Sequence, residues 1–406
     1  MQIVIIGGGA SGFFCAINIA QRHPNVDVTI LEKSSKLLSK VRISGGGRCN
    51  VTNNLPDPKE LTKRYPRGGK EMLGPFHQFS ITSTIEWFKD KGVALKAEAD
   101  GRMFPVTDSS ETIIECFTSA AESLGIDIQM NINVTGISPN IEGFQLSTNK
   151  GSIAANYVVV ATGGNTDKEF KETLMKLGHT LSPAVPSLFT FNVPNHPINQ
   201  LMGVSVPNAI IKISNSKLKE EGPLLITHWG FSGPAVLRLS AWGAKHLAQC
   251  NYNFNFTINW NGEYKAEDLL LDFLYFKQQH QQKNVLSATF NLPKRLWAYL
   301  IDKCGIMENS VWQNISKSQL QKLAQTICHD SYDARGKTTY KEEFVTCGGV
   351  NLKEIDFKTL QSKMLPRLYF AGEVIDVDGI TGGFNFQNAW TTGWIAANSI
   401  SEALNK

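Results

Sequence analysis

Three glycines near the start of the chain have the spacing of a phosphate-binding turn. The segment 7–12 reads GGGASG. Gly7 permits a tight turn, Gly9 lets a pyrophosphate approach bare backbone, and Gly12 lets a helix pack closely on a strand. The N-terminal N–H groups of that helix would face the phosphates. The spacing therefore predicts a dinucleotide site.

The segments around this turn have the order of a Rossmann unit. An apolar strand at 2–6 precedes the glycines, a helix follows them, and a second strand at 26–31 leads to Glu32. An acid at that position can accept hydrogen bonds from a ribose diol. A glycine-rich loop without a ligand is the alternative, but the complete set of segments favours binding of the ADP half of a dinucleotide.

Bulk properties limit the class of protein. A length of 406 residues predicts two or three domains, and 40 basic against 36 acidic residues gives a net charge of +4, which argues little for nucleic acid. The seven cysteines form no CxxC pair, so neither a disulfide framework nor a metal site is expected. No apolar run reaches the ~20 residues of a membrane span, and the early glycine turn leaves no room for a signal peptide. We expect a soluble, cytoplasmic protein.

A second glycine-rich segment, SGGGRCNVTN at 44–53, follows the second strand. Three successive glycines let the backbone press against a flat ring or a phosphate, and Arg48 and Asn50 supply donors. Arg48 is a candidate for binding a phosphate or a substrate carboxylate. A redox role for Cys49 is disfavoured because no second cysteine is close in sequence. An ordinary flexible loop is the alternative.

Three further segments lead up to the same site. Residues 157–164 form an apolar strand ending in ATGG, typical of the last parallel strand of an FAD-binding Rossmann domain, and Val134 lies in a short strand where its backbone could touch an adenine. Near the C-terminus a strand ends at Gly372-Glu373, and a helix is predicted from about 387 to about 403. The amides at that helix start would face the anionic N1/O2 edge of a reduced flavin. Glu373 could hold the ribityl or pyrophosphate region.

These motifs, together with THWGFSGPA at 227–235, closely resemble a bacterial family of FAD-dependent flavoproteins. Its members are described as aminoacetone oxidase-like enzymes and as NAD(P)H-dependent reductases of the bile-acid dehydroxylation type. The resemblance covers roughly residues 1 to 400. It implies non-covalent FAD, a glutathione-reductase-type Rossmann domain of the α/β class with an inserted substrate domain, and NAD(P)H or oxygen as the other electron partner. It does not settle the substrate.

The resemblance also implies a set of cofactor-binding residues. These are Gly7, Gly9, Ala10, Ser11, Gly12, Glu32, Lys33, Lys40, Arg42, Ser44, Gly45, Gly46, Gly47, Arg48, Cys49, Asn50, Val134, Ala161, Thr162, Gly163, Gly372, Glu373, Asp376, Gly383, Phe384, Asn385, Gln387, Asn388 and Ala389.

The pattern of the middle of the chain predicts where the inserted domain lies. Residues 1–185 and 341–406 should form the FAD domain, and 186–340 the insertion, with a β-barrel-like part at about 186–262 and three helices at about 263–330. The breaker cluster at 182–186 should be the crossing between domains, and 339–346 should be a return strand.

Catalytic residues are harder to identify, because flavin chemistry needs little from side chains. His228 precedes the turn at 230–234 and could bind substrate or donate a proton; the alternative is that it only braces the turn. No second strand–GxGxxG–helix unit lies between Gly164 and Gly348. The electron donor would therefore visit the flavin without a Rossmann site, or be the organic substrate with oxygen as acceptor.

The sequence thus predicts an FAD-dependent oxidoreductase acting on a small or hydrophobic organic molecule. Two alternatives stay open. One is a flavin-dependent RNA-modifying protein, which would need a basic surface with exposed aromatic residues. The other is a flavin-binding sensor without turnover.

Overall fold

The computed structural model describes residues 1–164, 167–262, 264–338 and 345–405. The chain divides into two units, one formed by Met1–Pro186 with Tyr340–Lys406 and the other by Ser187–Thr339. Helices and strands are numbered along the whole chain. The assignment of the first unit to the cofactor and of the second to the substrate stays a prediction.

The first unit mixes helices and strands. Its helices are α1 (Ala10–Arg22), α2 (Ser39–Gly47), α3 (Pro58–Thr62), α4 (Leu73–Gln78), α5 (Ile81–Asp90), α6 (Ser110–Ser123), α7 (Lys168–Lys176) and α12 (Phe384–Leu404). Its strands are β1 (Gln2–Ile6), β2 (Asp27–Glu32), β3 (Thr52–Asn53), β4 (Leu95–Ala97), β5 (Arg102–Pro105), β6 (Asp127–Met130), β7 (Val134–Pro139), β8 (Phe144–Thr148), β9 (Gly151–Ala155), β10 (Tyr157–Val160), β11 (Leu181–Pro186), β19 (Thr346–Val350), β20 (Ile355–Asp356), β21 (Gln361–Ser362) and β22 (Leu368–Phe370).

A parallel sheet forms the centre of the first unit, with the strand order β22-β10-β1-β2-β6. Strands β21 and β20 extend it in antiparallel fashion beyond β22. The apolar runs of β1 and β10 are buried, as expected of parallel strands covered on both faces. The predicted α/β Rossmann class is confirmed. The interpretation of 157–160 as the last parallel strand is wrong, because β22 pairs outside it.

The predicted crossing at 182–186 lies at the boundary between the two units, because the first unit ends at Pro186, but the segment is a strand rather than an irregular connection. These residues belong to β11, which pairs antiparallel with β19 and shifts register between Ser182 and Val185. The prolines lie on β11, which pairs with β19 alone among the described strands, so its other edge tolerates residues without a backbone N–H. Of the predicted return strand, 339–344 lie outside the described residues, and Thr346 begins β19.

The second unit is an antiparallel sheet with helices. Its strands are β12 (Thr190–Asn192), β13 (Ser205–Ile213), β14 (Lys219–Thr227), β15 (Gly230–Ser232), β16 (Asn253–Asn259), β17 (Asp330–Arg335) and β18 (Lys337–Thr338). Its helices are α8 (Pro234–Gln249), α9 (Ala266–Gln279), α10 (Lys294–Lys303) and α11 (Lys317–Cys328).

One continuous segment closes this sheet in the manner of a barrel. The strand order is β17-β16-β13-β14-β15-β12-β18, so the two edge strands are β17 and β18. Only Gly336 separates them in sequence, with a φ of +79° that a glycine adopts without strain. The same stretch of chain therefore pairs with β16 at one edge and with β12 at the other.

The core of the second unit is apolar and is crossed by one buried polar network. The Asp330 carboxylate accepts hydrogen bonds from Trp260 Nε1–H at 2.9 Å and from the Tyr332 hydroxyl, and it pairs with Lys303. This network joins α10 to the sheet. Helix α8 was not expected from the sequence, although Pro234 in its first turn is a common start signal for a helix. Among the described residues, no helix combines the length and the apolar character needed to cross a bilayer.

A buried histidine in the first unit gives the fold a dependence on pH. His179 contacts Ser362 Oγ through Nε2 at 2.8 Å, whereas its Nδ1 has no hydrogen-bond partner among the described residues. Burial lowers the pKa of His179, against the opposing charge of Glu354. The folded chain thus keeps this imidazole neutral at a pH where the unfolded chain takes up a proton.

We predict that the free energy of unfolding falls as the pH drops below about 6.5, the ordinary histidine value. One differential proton gives a slope of at most about 1.4 kcal/mol per pH unit. Urea unfolding of the wild type and of His179→Gln at pH 8 and pH 5.5 measures this. The variant should lose part of the slope; an unchanged slope would exclude His179 as its source.

Candidate functional site

Four neighbouring parallel strands deliver the predicted cofactor residues to one edge of the sheet. At their carboxyl ends lie Gly7 after β1, Glu32 in β2, Ala161–Gly163 after β10, and Gly372-Glu373 after β22. Because the carboxyl ends of parallel strands meet at the same edge, segments far apart in sequence become neighbours. Ligands of open α/β sheets bind at this edge.

The glycines of the first turn have three different environments. Gly7 has a φ of +119°, and a Cβ on it would overlap the carbonyl oxygen of Ala161. A Cβ on Gly12 would overlap the Gly7 carbonyl oxygen, so Gly12 allows α1 to pack against the turn. A Cβ on Gly9 would meet no atom within 4 Å. Gly9 therefore faces open space at the N-terminus of α1, where the free N–H groups and the helix dipole favour an anion.

The Glu32 carboxylate is hydrogen-bonded to this turn. It accepts hydrogen bonds from Gly8 N and Ser34 N, both at 2.8 Å. Each carboxylate oxygen has a second lone pair, so these contacts leave acceptor capacity for hydroxyl groups. The backbone N–H of Ile132 donates to the Glu32 carbonyl oxygen, which places the start of β7 at Val134 beside the same strand end.

The second glycine-rich segment begins in the irregular end of α2 and continues into β3. Gly45, Gly46 and Gly47 all have positive φ, and a Cβ on Gly46 or Gly47 would meet no atom within 4 Å. The Cys49 side chain is buried, and burial raises the pKa of its thiol to about 12. The thiol therefore stays protonated, which is unsuited to redox exchange.

The same segment is joined to the C-terminal part of the chain by three contacts. The Asn50 amide lies 2.9 Å from both the Thr52 carbonyl and the Gly383 N–H. Asn53 Nδ2 donates to the Gly382 carbonyl at 2.9 Å, and Thr52 Oγ1 donates to Gln387 Oε1 at 2.6 Å. The glycine-rich segment at 44–53 and the glycine pair Gly382-Gly383 before α12 thus lie side by side.

The four basic residues in the predicted set all lie in ion pairs. The pairs are Lys33 with Asp167, Lys40 with Glu373, Arg42 with Glu111, and Arg48 with both Glu98 and Asp108. Arg48 also stacks on the Phe104 ring at 4.0 Å, and its carboxylate partners raise the pKa of its guanidinium. The pair of Lys40 and Glu373 brings two predicted residues together across the sheet edge.

In the C-terminal segment, two predicted residues are hydrogen-bonded to other parts of the protein rather than facing open space. Asn385 bonds the Gly379 backbone through both its amide atoms, and Gln387 is buried, with its Nε2 donating to Thr391. Asn388 differs from them. Its Oδ1 is buried in the second turn of α12 without a hydrogen-bond partner among the described residues.

A charged cluster beside these loops was not expected from the sequence. Arg67 forms a two-pronged, buried ion pair with Asp378, and Gly68 packs against Val377. The ligand atoms of Cys347, Asp376 and Asp378 lie within 4.8 Å of one another. Because the Arg67 guanidinium already balances Asp378, we assign no metal to this cluster. The unusual segment RYPRGG at 64–69 is the signal that could have pointed to it.

These features fit a dinucleotide. Gly9, Gly46 and Gly47 leave open space next to backbone N–H groups, and among the described residues the Oδ1 of Asn388 and the Oγ1 of Thr346 are buried polar atoms without a partner. Buried polar atoms normally have hydrogen-bond partners, so two orphaned ones beside a glycine-lined edge are consistent with a polar ligand.

His228 lies in the other unit. With Trp229 it forms the two-residue turn between β14 and β15, where Thr227 pairs with Gly230. The His228 side chain is exposed, and its ring centre lies 3.8 Å from that of Trp229. Neither His228 nor Trp229 has a positive φ. The backbone of the turn therefore does not demand a particular residue type at either position.

Comparisons with known proteins cover nearly the whole chain. Residues 1–399 match the family described as HI0933-like protein Rossmann domain. The chain is 27% identical over 423 residues to the 3-dehydro-bile acid delta(4,6)-reductase of Clostridium scindens, covering 99% of both chains. It is 30% identical over 415 residues to the ribosomal RNA dihydrouridine synthase of Haemophilus influenzae, covering 98% of both.

A solved structure supports the fold alone. The 3-ketosteroid delta1-dehydrogenase of Sterolibacterium denitrificans superposes with a TM-score of 0.53 at 11% identity, covering 99% of both chains.

The different surroundings of Gly9 and Gly12 give a matched pair of variants. We predict that Gly9→Ala folds normally but lowers FAD affinity by about tenfold or more, because the methyl group enters the space left for the pyrophosphate. Gly12→Ala should instead lower the free energy of unfolding by about 1–3 kcal/mol through overpacking against Gly7. Flavin titration and urea unfolding measure the two effects. Normal FAD binding by Gly9→Ala would contradict this placement of the cofactor.

Proposed function

The chain belongs to the HI0933-like family of Rossmann-domain proteins, and we propose that it is an FAD-dependent oxidoreductase that reduces a carbon–carbon double bond conjugated with a carbonyl group. The family resemblance found in the motifs is confirmed, and its members are FAD-dependent flavoproteins. The type of bond reduced is the new part of the proposal.

The observation that carries it is the chemistry shared by two full-length relatives. A 3-dehydro delta(4,6) bile acid has double bonds conjugated with a ketone, and the relative from C. scindens is named as its reductase. Dihydrouridine is uridine with its ring C=C bond, also conjugated with a carbonyl, reduced. The two named enzymes act on different substrates, but both names describe chemistry at a C=C bond conjugated with a carbonyl group.

The residues of the first unit would hold the cofactor for this reaction. When bound and reduced, FAD would supply the hydride for the double bond, and NAD(P)H is the proposed source of its electrons. The N-terminus of α1 at Gly9 would hold the pyrophosphate and Glu32 the ribose. Asn388 and Thr346 would place their unpaired oxygens against polar atoms of the cofactor. NAD(P)H would act without a Rossmann site of its own, since the sequence has no second GxGxxG unit.

Reduction of a conjugated double bond also needs a proton. Hydride adds to the carbon farther from the carbonyl, and a proton must then reach the nearer carbon. We assign His228 as the candidate proton donor, because it is an exposed imidazole whose position in a tight turn has no structural requirement for it. The role of Arg48 in binding an anion stays a prediction, since its guanidinium is engaged by Glu98 and Asp108.

Two substrate classes are compatible with the reaction. The first is a hydrophobic ring compound that contains an enone, which agrees with the sequence-based expectation of a small organic substrate. The second, which we place after the first, is a uracil ring in RNA, the substrate class in the name of the relative from H. influenzae.

We predict that NADH or NADPH bleaches the bound flavin under anaerobic conditions, and that an enone or a uracil substrate then restores the oxidised spectrum with formation of the saturated product. Stopped-flow absorbance and mass spectrometry measure the two steps. Steroid enones and uridine-containing RNA are tested in parallel. A flavin that is reoxidised by oxygen but by neither substrate would point to an oxidase instead.

We predict that His228→Ala lowers the rate of flavin reoxidation by the substrate by ~10²-fold or more, while FAD content and the rate of flavin reduction stay unchanged. The physical reason is that proton delivery is lost without any change in the cofactor site. His246→Ala is the matched control, because His246 is an exposed histidine on α8 of the same unit. Equal rates in both variants would show that His228 only occupies the turn.

A further inference from the structure

The first unit contains a cleft that lies outside the predicted cofactor residues. Residues from the segment 71–78, which includes α4, and from the segment 352–363, which includes β20 and β21, line this space, which we call the α4 cleft. Its volume is about 430 Å³, within the range of ~300–1,000 Å³ typical of small-molecule sites. None of its lining residues belongs to the predicted cofactor set. The α4 cleft is therefore a separate candidate for binding a small molecule.

Most of the surface of the α4 cleft is apolar. Pro75 and Ile355 are buried, and the side chains of Leu352 and Phe357 are half-buried. A Cβ on Gly74 would meet no atom within 4 Å, so the space beside this part of α4 is open. A ligand with an apolar ring would cover this surface and remove it from water, which is favourable.

Three exposed lysines also line the α4 cleft. Lys353 precedes β20, Lys358 lies in the turn between β20 and β21, and Lys363 follows β21. Lys363 Nζ donates a hydrogen bond to the Lys353 carbonyl oxygen at 2.9 Å, which holds this side chain against the hairpin. In the part of the chain that the structure describes, none of the three lysines forms an ion pair. The ammonium groups of Lys353 and Lys358 are therefore available to a ligand.

The charges around the α4 cleft favour an anion. Its two carboxylates are those of Glu71 and Asp356, against three lysines. Asp356 Oδ1 accepts a hydrogen bond from the Lys358 backbone N–H at 3.0 Å, so this carboxylate stabilises the hairpin turn. Gln78 Nε2 contacts the Lys358 carbonyl oxygen at 3.4 Å and joins the two segments that line the cleft. Beside an apolar surface, a charge on a ligand interacts more strongly with the lysines than it would in open water.

We propose that the α4 cleft binds a small organic anion that has an apolar ring. The ring lies against the apolar surface at Ile355 and Phe357, and the anionic group pairs with Lys353 and Lys358. Small-molecule sites commonly combine a mostly apolar lining with a few charged groups that orient the ligand. The proposal goes beyond the proposed function, because it uses none of the residues assigned to the cofactor or to proton delivery.

The test uses the full-length, FAD-loaded protein and three probes in isothermal titration calorimetry. Naphthoate has both the ring and the charge, naphthamide has the same ring without the charge, and acetate has the charge without the ring. Naphthoate should bind about fivefold more tightly than naphthamide, because exposed ion pairs contribute little each, and acetate should give no measurable heat. The absorbance of the bound flavin, recorded during the same titrations, should stay unchanged, because the cleft contains none of the predicted cofactor residues.

Two variants test the location of the probe. Lys353→Gln/Lys358→Gln should weaken naphthoate binding by about fivefold and leave naphthamide binding unchanged. Gly74→Phe should weaken the binding of both by about tenfold or more, because its ring occupies the open space; φ of Gly74 is not positive, so the helix accepts a side chain there. The control Lys89→Gln/Lys150→Gln removes the same charge from exposed positions of the first unit and should bind like the wild type. Thermal unfolding checks that each variant is folded.

The proposal would be overturned by a wild type that binds no naphthoate, by equal affinities for naphthoate and naphthamide, or by equal weakening in the lysine variant and its control. Naphthoate that changes the flavin spectrum and binds both cleft variants normally occupies the cofactor site instead, which would also overturn it. Enone reduction is measured on the same samples and tests the proposed reaction separately. Loss of naphthoate binding in the two cleft variants alone, at wild-type FAD content, would support the proposal.

Discussion

Direct contact between backbone segments at glycine is the constraint on which the rest of this structure depends. At Gly7 and Gly12 a single methyl group would overlap a carbonyl oxygen, and a Cβ on Gly393 of α12 would lie 2.8 Å from the Ser11 carbonyl oxygen. These contacts let α1 and α12 pack against the same turn. The open space at Gly9 lies in sequence between the two glycines of this contact, at the N-terminus of α1.

The sequence predicts the parts of the site that depend on local chemistry. The glycine turn, the acid at Glu32 and the C-terminal helix can each be recognised from a short run of residues. The contacts between distant segments leave no such local signal, as with Lys40 and Glu373 or Arg67 and Asp378. The cluster at 182–186 reads locally as a breaker because it contains prolines, whereas its partner strand β19 makes it a strand.

Charge in this chain is organised by unit rather than by overall balance. Several basic residues of the first unit form ion pairs with carboxylates of the same unit, and these pairs join loops around the sheet edge. In the second unit the cations exceed the acids, and some of them face each other. The first arrangement stabilises a site, and the second leaves an electrostatic field at the surface.

The position of β22 in the sheet has a consequence for synthesis on the ribosome. Its partner β10 ends at Val160, but Leu368–Phe370 is translated some two hundred residues later. The segment 187–339 forms its own compact unit, so it can fold while the Rossmann sheet is still incomplete. Until Phe370 emerges, the apolar strand β10 presents an unpaired edge. Nascent chains interrupted before that point would therefore be prone to aggregation and dependent on chaperones.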